Sequence, residues 1–431
     1  MQSAVDRQNT YIIALDVGTS NAKAVLFGPD GSEIDVKERG FALSTPEQDR
    51  VEQDAGEVLE AAIRVLQEIV CSLPPSPPYS ALLSLSSQGG SCLLVDEHGT
   101  PLRPMITWMD SRAASLVEEW KGDGTYETIR RTSGWYPQAG LPVATITWIG
   151  RNEPGIFADT ALFLGLGDFL TLELTGSAVT DPSSAGEMLL LDRRSGEWSA
   201  ELCRIAGIEP KRLPEIRPSD VILGTVSEGI AERTGLPAGT LVVNGGQDHS
   251  CELYALGLSQ PDEALLACGT AWVINGISHD PDLDRIPQSM DLNFHVQQGT
   301  WSISRFLGGF GAGMDWCLRQ CYAVGDRIEY ETLERECSDA FSSIRDVERR
   351  PLCIPLSGSG QLTKAGNCGG YWGMRRHHGR EDMVLALMDG AAFELRWALE
   401  TLEKSGFRLR RLWMVGGAVK NLHWPRIVAA V

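Results

Sequence analysis

The chain has 431 residues, 43% of them apolar and 22% charged, which excludes a disordered or fibrous protein and predicts two or three globular domains with a sizeable core. Its 57 acidic residues against 38 basic ones give a net charge of −19, which argues against nucleic acid or an anionic membrane surface as the main partner. No stretch approaches the ~20 apolar residues that span a bilayer, and the polar first ten residues do not read as a signal peptide. Any phosphate this chain binds must therefore be held by local backbone amides and metal ions. Ten cysteines occur without a CxxC pair, so a reduced, cytoplasmic protein is expected. Cys317 and Cys321, one helical turn apart, read as two buried thiols, because a structural metal would need a matching second pair.

Taken in chain order, "YIIALDV" (11–17) and "NAKAVLF" (21–27) read as strands joined by Gly18-Thr19-Ser20, with a third strand within 32–43 after the turn Pro29-Asp30-Gly31. Residues 54–72 have helical apolar spacing and stop before a Pro-rich stretch. "ALLSLSS" (81–87) and "SCLLVDEHGTPLRP" (91–104) give two further short strands with an intervening turn. Helical patterns fill much of 112–175, and "EMLLLDRRSGEW" (187–198) reads as a strand and a turn. The clearest boundary lies near residue 240, where a Gly/Pro turn leads into the strand of "TLVVNGGQDH". This divides the chain into domains 1–240 and 241–431. "EALLACGTAWVING" (263–276) then echoes the opening element: an apolar strand, Gly269-Thr270, and another apolar strand. Two such hairpins facing each other across a cleft would make a phosphate site, with small residues admitting backbone N–H groups and hydroxyls adding donors.

Four places carry polar groups that could do chemistry. Asp16 ends the first strand beside the Gly-Thr-Ser turn. It is either a turn-capping acid or a ligand of Mg²⁺ next to nucleotide phosphates. Asp248, after Gly245-Gly246 and at the start of a helical pattern, is either an N-cap or a general base at a cleft mouth. "RPMITWMDSRA" puts Trp108, Asp110 and Arg112 within five residues. That set suits a polyhydroxylated ligand, or else a core tryptophan with an adjacent ion pair. His377-His378 read as part of a solvated loop rather than a metal site, since adjacent side chains diverge.

Together and in this order, these segments resemble the FGGY family of carbohydrate kinases, most nearly its xylulokinase-like members, from residue 11 to the last residue. "LDVGTS" matches the family's first phosphate motif and "CGTA" its second. "VDEHGTPLRPMITWMDSR" matches a family segment of the form LLD…G.PLRPAILWND.R. "LVVNGGQDHSCELYALG" matches the strand and helix start that carry the family's catalytic aspartate. Residues 369–390 fit a family signature at Gly369, Gly373, Asp382, Ala386, Asp389 and Gly390, and "VGGAVKNLHWPRIVAAV" resembles the adenosine motif.

The resemblance implies an α/β protein of two actin-like, ribonuclease-H-like domains with ATP in the interdomain cleft. It implies ATP-dependent phosphorylation of a hydroxyl on a ketose, such as a pentulose, or on a polyol. ATP and Mg²⁺ are the cofactors, the sugar or polyol is the small-molecule partner, and a homodimer is compatible with it. Thr19, Ser20, Asn21, Thr270, Gly311, Asp315, Gly417 and Asn421 are the implied nucleotide contacts. Asp16 and Asp248 are the implied metal ligands, and Asp248 is also the general base. Gln88, Gly89, Gly90, Trp108, Asp110, Arg112 and His249 are the implied substrate contacts.

The departures from the family are informative. Where xylulokinases carry Gly-Gln-Met-His-Gly, this chain has Ser87-Gln88-Gly89-Gly90-Ser91, so an imidazole is missing. His249 stands where Asn is frequent, Thr145 replaces a lysine, and "LSGSGQ" (356–361) lacks the usual SGERTP. The second domain is expected to be truncated, since family chains run on beyond the adenosine motif, and Ala430 replaces an Asp. An exposed apolar face, with lower stability or oligomerisation, would follow. Two rival readings are a catalytically weak or regulatory relative that binds sugar or nucleotide, and an actin- or chaperone-like ATPase. The WMDSR segment and Asp248 count against the latter.

Overall fold

A computed structural model describes residues 9–75, 79–287, 290–325, 327–343, 350–355 and 369–431. Residues 356–361, singled out above, lie outside the described residues, as does Cys368. The chain forms two compact units: residues 1–256 with 292–301, and 257–291 with 302–431. Among the described residues no helix is long and apolar enough to cross a membrane.

In the first unit the opening hairpin forms as its alternation dictates. Ile13, Leu15 and Val17 of the strand Thr10–Val17, and Ala22, Ala24 and Leu26 of the strand Asn21–Phe27, all point into one core. The helix Ala55–Val70, N-capped by the Asp54 side chain, lays Val58, Ala62, Val65, Leu66 and Ile69 on that face. The sheet runs in the order Ile222–Thr225, Leu241–Gln247, Ser80–Ser87, Thr10–Val17, Asn21–Phe27, Glu33–Gly40. Its three middle connections matter most. Thr10–Val17 is antiparallel to Asn21–Phe27 and parallel to Ser80–Ser87, which is in turn parallel to Leu241–Gln247. The strand that opens the second half by sequence is thus hydrogen-bonded into the first sheet, and the chain passes to the second unit at Leu256/Gly257.

One local expectation is corrected. Residues 187–198 do not open as a strand. Asp181 caps the short helix Pro182–Glu187, and only an isolated bridge joins Leu191 to Trp198. Met188, Leu189 and Leu190 are apolar because they are buried in a second core with Ile146, Ile149 and Phe163, not because they alternate in a sheet.

The second unit repeats the arrangement of the first. Glu263–Cys268 is antiparallel to Trp272–Ser278 across a tight turn, and parallel to the later strand Arg411–Val415 on its other side. The helix Phe310–Tyr322 and the 25-residue helix Arg380–Lys404 cover this sheet's surroundings with buried apolar side chains. Fully buried Trp272 packs edge-on to Phe310 and against Trp424. Two residues of the 369–390 signature have structural duties. Asp382 accepts from the Gly379 N–H at 2.9 Å at the start of its helix, and Asp389 pairs with Arg350 at 3.2 Å.

Candidate active site

In a parallel array, ligands gather beyond the carboxyl ends of the strands, where the side chains of successive loops converge. Three parallel strands of the first unit end together in this way. Thr10–Val17 delivers Asp16 and the Gly18-Thr19-Ser20 turn, Ser80–Ser87 delivers Gln88, Gly89 and Gly90, and Leu241–Gln247 delivers Asp248 and His249. Asp16 stands in register with Ser86 on one side and Lys23 on the other. The expected functional residues of this unit therefore meet through strand pairing rather than through sequence proximity.

Asp248 opens the helix Asp248–Ala255 and is not its N-cap; that duty falls to Gln247, whose Oε1 accepts from the Ser250 N–H at 2.9 Å. Asp248 Oδ1 accepts from Gln247 Nε2 at 2.6 Å and from the His249 N–H at 2.7 Å. Among the described residues no donor reaches Oδ2. Burial pushes the Asp248 carboxyl above its ordinary value. The neighbouring His249 opposes that shift, and the charge of Glu252 reinforces it. Burial likewise lifts Asp16 to about 6, against a hydrogen bond from Ser86 and with further upward pressure from Asp248 and Glu252. For His249, burial disfavours the cation, but the Asp248 charge, the 3.0 Å contact of Nδ1 with Glu252 and the Glu187 charge prevail and raise it to about 9.

Burial thus makes both the Asp16 and the Asp248 carboxylates less acidic, and the Asp248 charge adds to the effect at Asp16. A divalent cation relieves such a pair. Mg²⁺ takes one or two carboxylates plus phosphate oxygens and waters, not an all-protein cage.

Thr19 is held by side chains of three other segments. Its hydroxyl donates to Gln88 Oε1 at 2.9 Å and accepts from Trp108 Nε1 at 3.3 Å, while its carbonyl accepts from Gln53 Nε2 at 2.7 Å. Gln88 Nε2 closes the ring onto Gln53 Oε1 at 2.8 Å. Ser20 is exposed at the turn, and Asn21 donates to Glu38. The turn of the phosphate hairpin and the Gln88-Gly89-Gly90 loop are therefore one hydrogen-bonded assembly.

Asp110 and Arg112, expected among the substrate contacts, form a buried ion pair. Asp110 accepts from Arg112 Nε at 2.9 Å, from Arg112 Nη2 at 2.8 Å and from the Val51 N–H at 2.8 Å, and Arg112 also reaches Glu52. Both are buried, with the guanidinium over the Trp148 ring. The pair ties the segment that carries Trp108 to Val51 and Glu52, and Arg112 Nη1 is buried with no partner among the described residues. Sequence reasoning missed two members of the site. Gln53 lies in a two-residue strand with no motif, and Glu187, whose charge is felt at His249, lies in the segment that reads as a strand.

In the second unit Thr270 is exposed in the Gly269-Thr270 turn, and its carbonyl accepts from the Ala312 N–H at 3.1 Å. Gly311 packs directly on that turn. Asp315 is half-exposed and paired with Arg319 at 2.7 Å. Gly417 begins the short helix Gly417–Lys420. Asn421 Oδ1 accepts from the His423 and Trp424 N–H groups at the entry to the last helix, Trp424–Ala430. His377 is exposed and His378 accepts from the Arg375 N–H. Cys317 is a buried thiol beside the Tyr371 hydroxyl.

The chain matches the model of the FGGY family of carbohydrate kinases, N-terminal domain, over residues 11–254, and that of its C-terminal domain over 264–431. A gluconokinase of Bacillus licheniformis is 26% identical over 436 aligned positions, covering 98% of this chain and 83% of that protein. A probable L-xylulose kinase of Pasteurella multocida is 24% identical, covering 97% of this chain and 85% of its own length. The crystal structure of xylulose kinase from Rhodospirillum rubrum superposes with a TM-score of 0.84 at 26% identity, over 97% of this chain and 84% of that one.

Proposed function

Because this chain belongs to the FGGY family of carbohydrate kinases and is therefore a sugar kinase, we propose that it transfers the γ-phosphoryl group of ATP to a hydroxyl of a ketose, such as a pentulose, or of a polyol, with Asp248 as the general base. The observation that carries this reading is the Asp248 carboxylate. One oxygen is fixed by Gln247 and the His249 N–H, no donor among the described residues reaches the other, and Asp16 lies within its field.

The acceptor hydroxyl would donate to Oδ2, and Asp248 would take that proton as the oxygen attacks the γ-phosphorus in line. Burial raises the basicity of the carboxylate, which suits proton abstraction near neutral pH. Asp16 and Asp248 would hold Mg²⁺, whose contribution when bound is to neutralise charge on the transferring phosphoryl group. Gln88, Gly89, Gly90, Trp108 and His249 would bind the acceptor, with Asp110 and Arg112 positioning Trp108. In the first unit Thr19, Ser20 and Asn21 would contact the nucleotide, and in the second Thr270, Gly311, Asp315, Gly417 and Asn421.

The test is a coupled ADP-release assay over pentuloses, hexuloses and polyols, with Asp248→Asn beside the wild type. Loss of the general base should lower turnover by about 10²–10⁴-fold while acceptor binding persists. A variant that retains most of its activity rules Asp248 out as the base. ATP binding without turnover on any acceptor would instead make the chain a regulatory relative.

A further inference from the structure

We propose that Glu187 contacts the acceptor directly and makes the pocket select an uncharged polyhydroxylated acceptor over an aldonic acid of the same carbon number. The inference rests on the reading of Gln88, Gly89, Gly90, Trp108 and His249 as the acceptor pocket.

The position of Glu187 is built, not incidental. It is the last residue of the helix Pro182–Glu187, whose start is fixed by Asp181 accepting from the Ser183 N–H at 2.8 Å and the Ser184 N–H at 3.1 Å. Ser183 Oγ accepts from the Gln247 N–H at 3.0 Å, which ties this helix to the strand that delivers Asp248. Two residues past Glu187, Leu189 adopts φ 55°, a left-handed conformation rare for a bulky side chain, and is held there by complete burial. The chain therefore turns sharply at the point where it releases Glu187 toward the loop after Ser80–Ser87.

There the carboxylate occupies side-chain space. A Cβ on Gly89 would fall 1.6 Å from Glu187 Oε2 and 3.1 Å from Gln247 Cγ. A Cβ on Gly90 would lie 3.2 Å from Trp108 Cβ and 3.9 Å from the same Oε2. The two glycines leave this part of the pocket without side chains of their own, and Glu187 fills it from another segment. Its Oε2 lies over Gly89, on the side of the loop that Gln247 Cγ also borders.

Its chemistry then decides what can bind. A carboxylate only accepts hydrogen bonds, so it is matched by hydroxyl donors and mismatched by another carboxylate. The charges that act on Asp16 and His249 are those of the acids Asp248, Glu252 and Glu187 and of Lys23, and Asp181 adds a further acid beside Gly246. His249 is already in contact with Glu252. An anionic acceptor would enter an excess of negative charge, and a neutral one would not.

The experiment measures kcat/KM on the full chain for the neutral ketose or polyol it turns over best and for the aldonate of equal length. Wild type, Glu187→Gln and Gly89→Ala are compared, together with calorimetric titration of the neutral acceptor in the absence of ATP. Wild type should prefer the neutral acceptor. Glu187→Gln should raise KM and the titrated Kd for it by roughly 10- to 100-fold, the range for losing a hydrogen bond to a charged group, with a smaller change in kcat. It should also shrink the discrimination against the aldonate. Gly89→Ala, which displaces the carboxylate, should raise the same KM and Kd. An active kinase that prefers the aldonate, or whose acceptor ratio is indifferent to Glu187→Gln, overturns the assignment of Glu187 alone. A wild type that turns over no sugar overturns the reading of the pocket as well.

Discussion

Replacing Gln88 by Leu should loosen the phosphate hairpin without disturbing the sheet beneath it. The substitution keeps the approximate side-chain size but removes two hydrogen bonds, from Thr19 Oγ1 at 2.9 Å and to Gln53 Oε1 at 2.8 Å. Each is worth about 1 kcal/mol net, and stranding Gln53 Oε1 adds about 1–3 kcal/mol, because Gln53 is fully buried and its Nε2 is committed to the Thr19 carbonyl. If about 2–3 kcal/mol of this falls on local opening of the turn, exchange should accelerate by roughly 30- to 150-fold. The reporters are the Gly18 amide, bonded to the Asn21 carbonyl, and the Phe41 amide, bonded to the Ser20 carbonyl. Hydrogen exchange read by mass spectrometry or NMR gives those rates. Gln53→Leu with Gln88→Leu should be about 1–2 kcal/mol less damaging than the sum of the single changes, since neither partner is then left unpaired. Unchanged turn exchange, or strict additivity, would refute the coupling of the acceptor loop to the phosphate turn.

Two further perturbations probe other regions. Gly311→Ala would put a Cβ 2.0 Å from the Gly269 carbonyl oxygen and 3.1 Å from Thr270 Cα, so the helix and the Gly269-Thr270 turn must part. A melting scan should show about 1–3 kcal/mol of destabilisation, and titration should show weaker ATP binding. Intact ATP affinity in a destabilised variant would remove Thr270 from the nucleotide site. Asp168, buried in the capping box of the helix Leu166–Thr175, is lifted by burial from 3.8 to about 6, against hydrogen bonds from Thr180 and the Gly165 N–H. Its folded value exceeds its unfolded one, so its contribution to stability is full below about pH 4 and is lost as pH rises through about 6. Urea unfolding of Asp168→Asn should therefore lack up to about 3 kcal/mol of the decline that the wild type shows over that window. Equal slopes in the two proteins would show that Asp168 titrates normally.

Much of the site was legible because its parts are local. The alternation of Ile13, Leu15 and Val17 fixes a half-buried strand, its period puts Asp16 at the end, and small residues after it dictate a tight turn. The same reasoning found the Gly269-Thr270 hairpin and, in the ordered motifs, the family. Local pattern also explains the failure at residues 187–198. A run of four apolar residues looks the same whether it enters a sheet or a buried turn after a six-residue helix.

What the tertiary structure decided is which of these pieces meet. Nothing in the spacing of residues 16, 88 and 248 says that their strands are parallel neighbours. Strand pairing is chosen by burial and hydrogen bonding between segments far apart in the chain. Only that pairing puts Asp16 and Asp248 within each other's field. Packing alone made Asp110 and Arg112 a buried ion pair and set the Glu187 carboxylate over Gly89. A sequence specifies periodicity, turns and caps through interactions among near neighbours. The charges and shapes that choose a substrate arise from groups brought together only when the core closes.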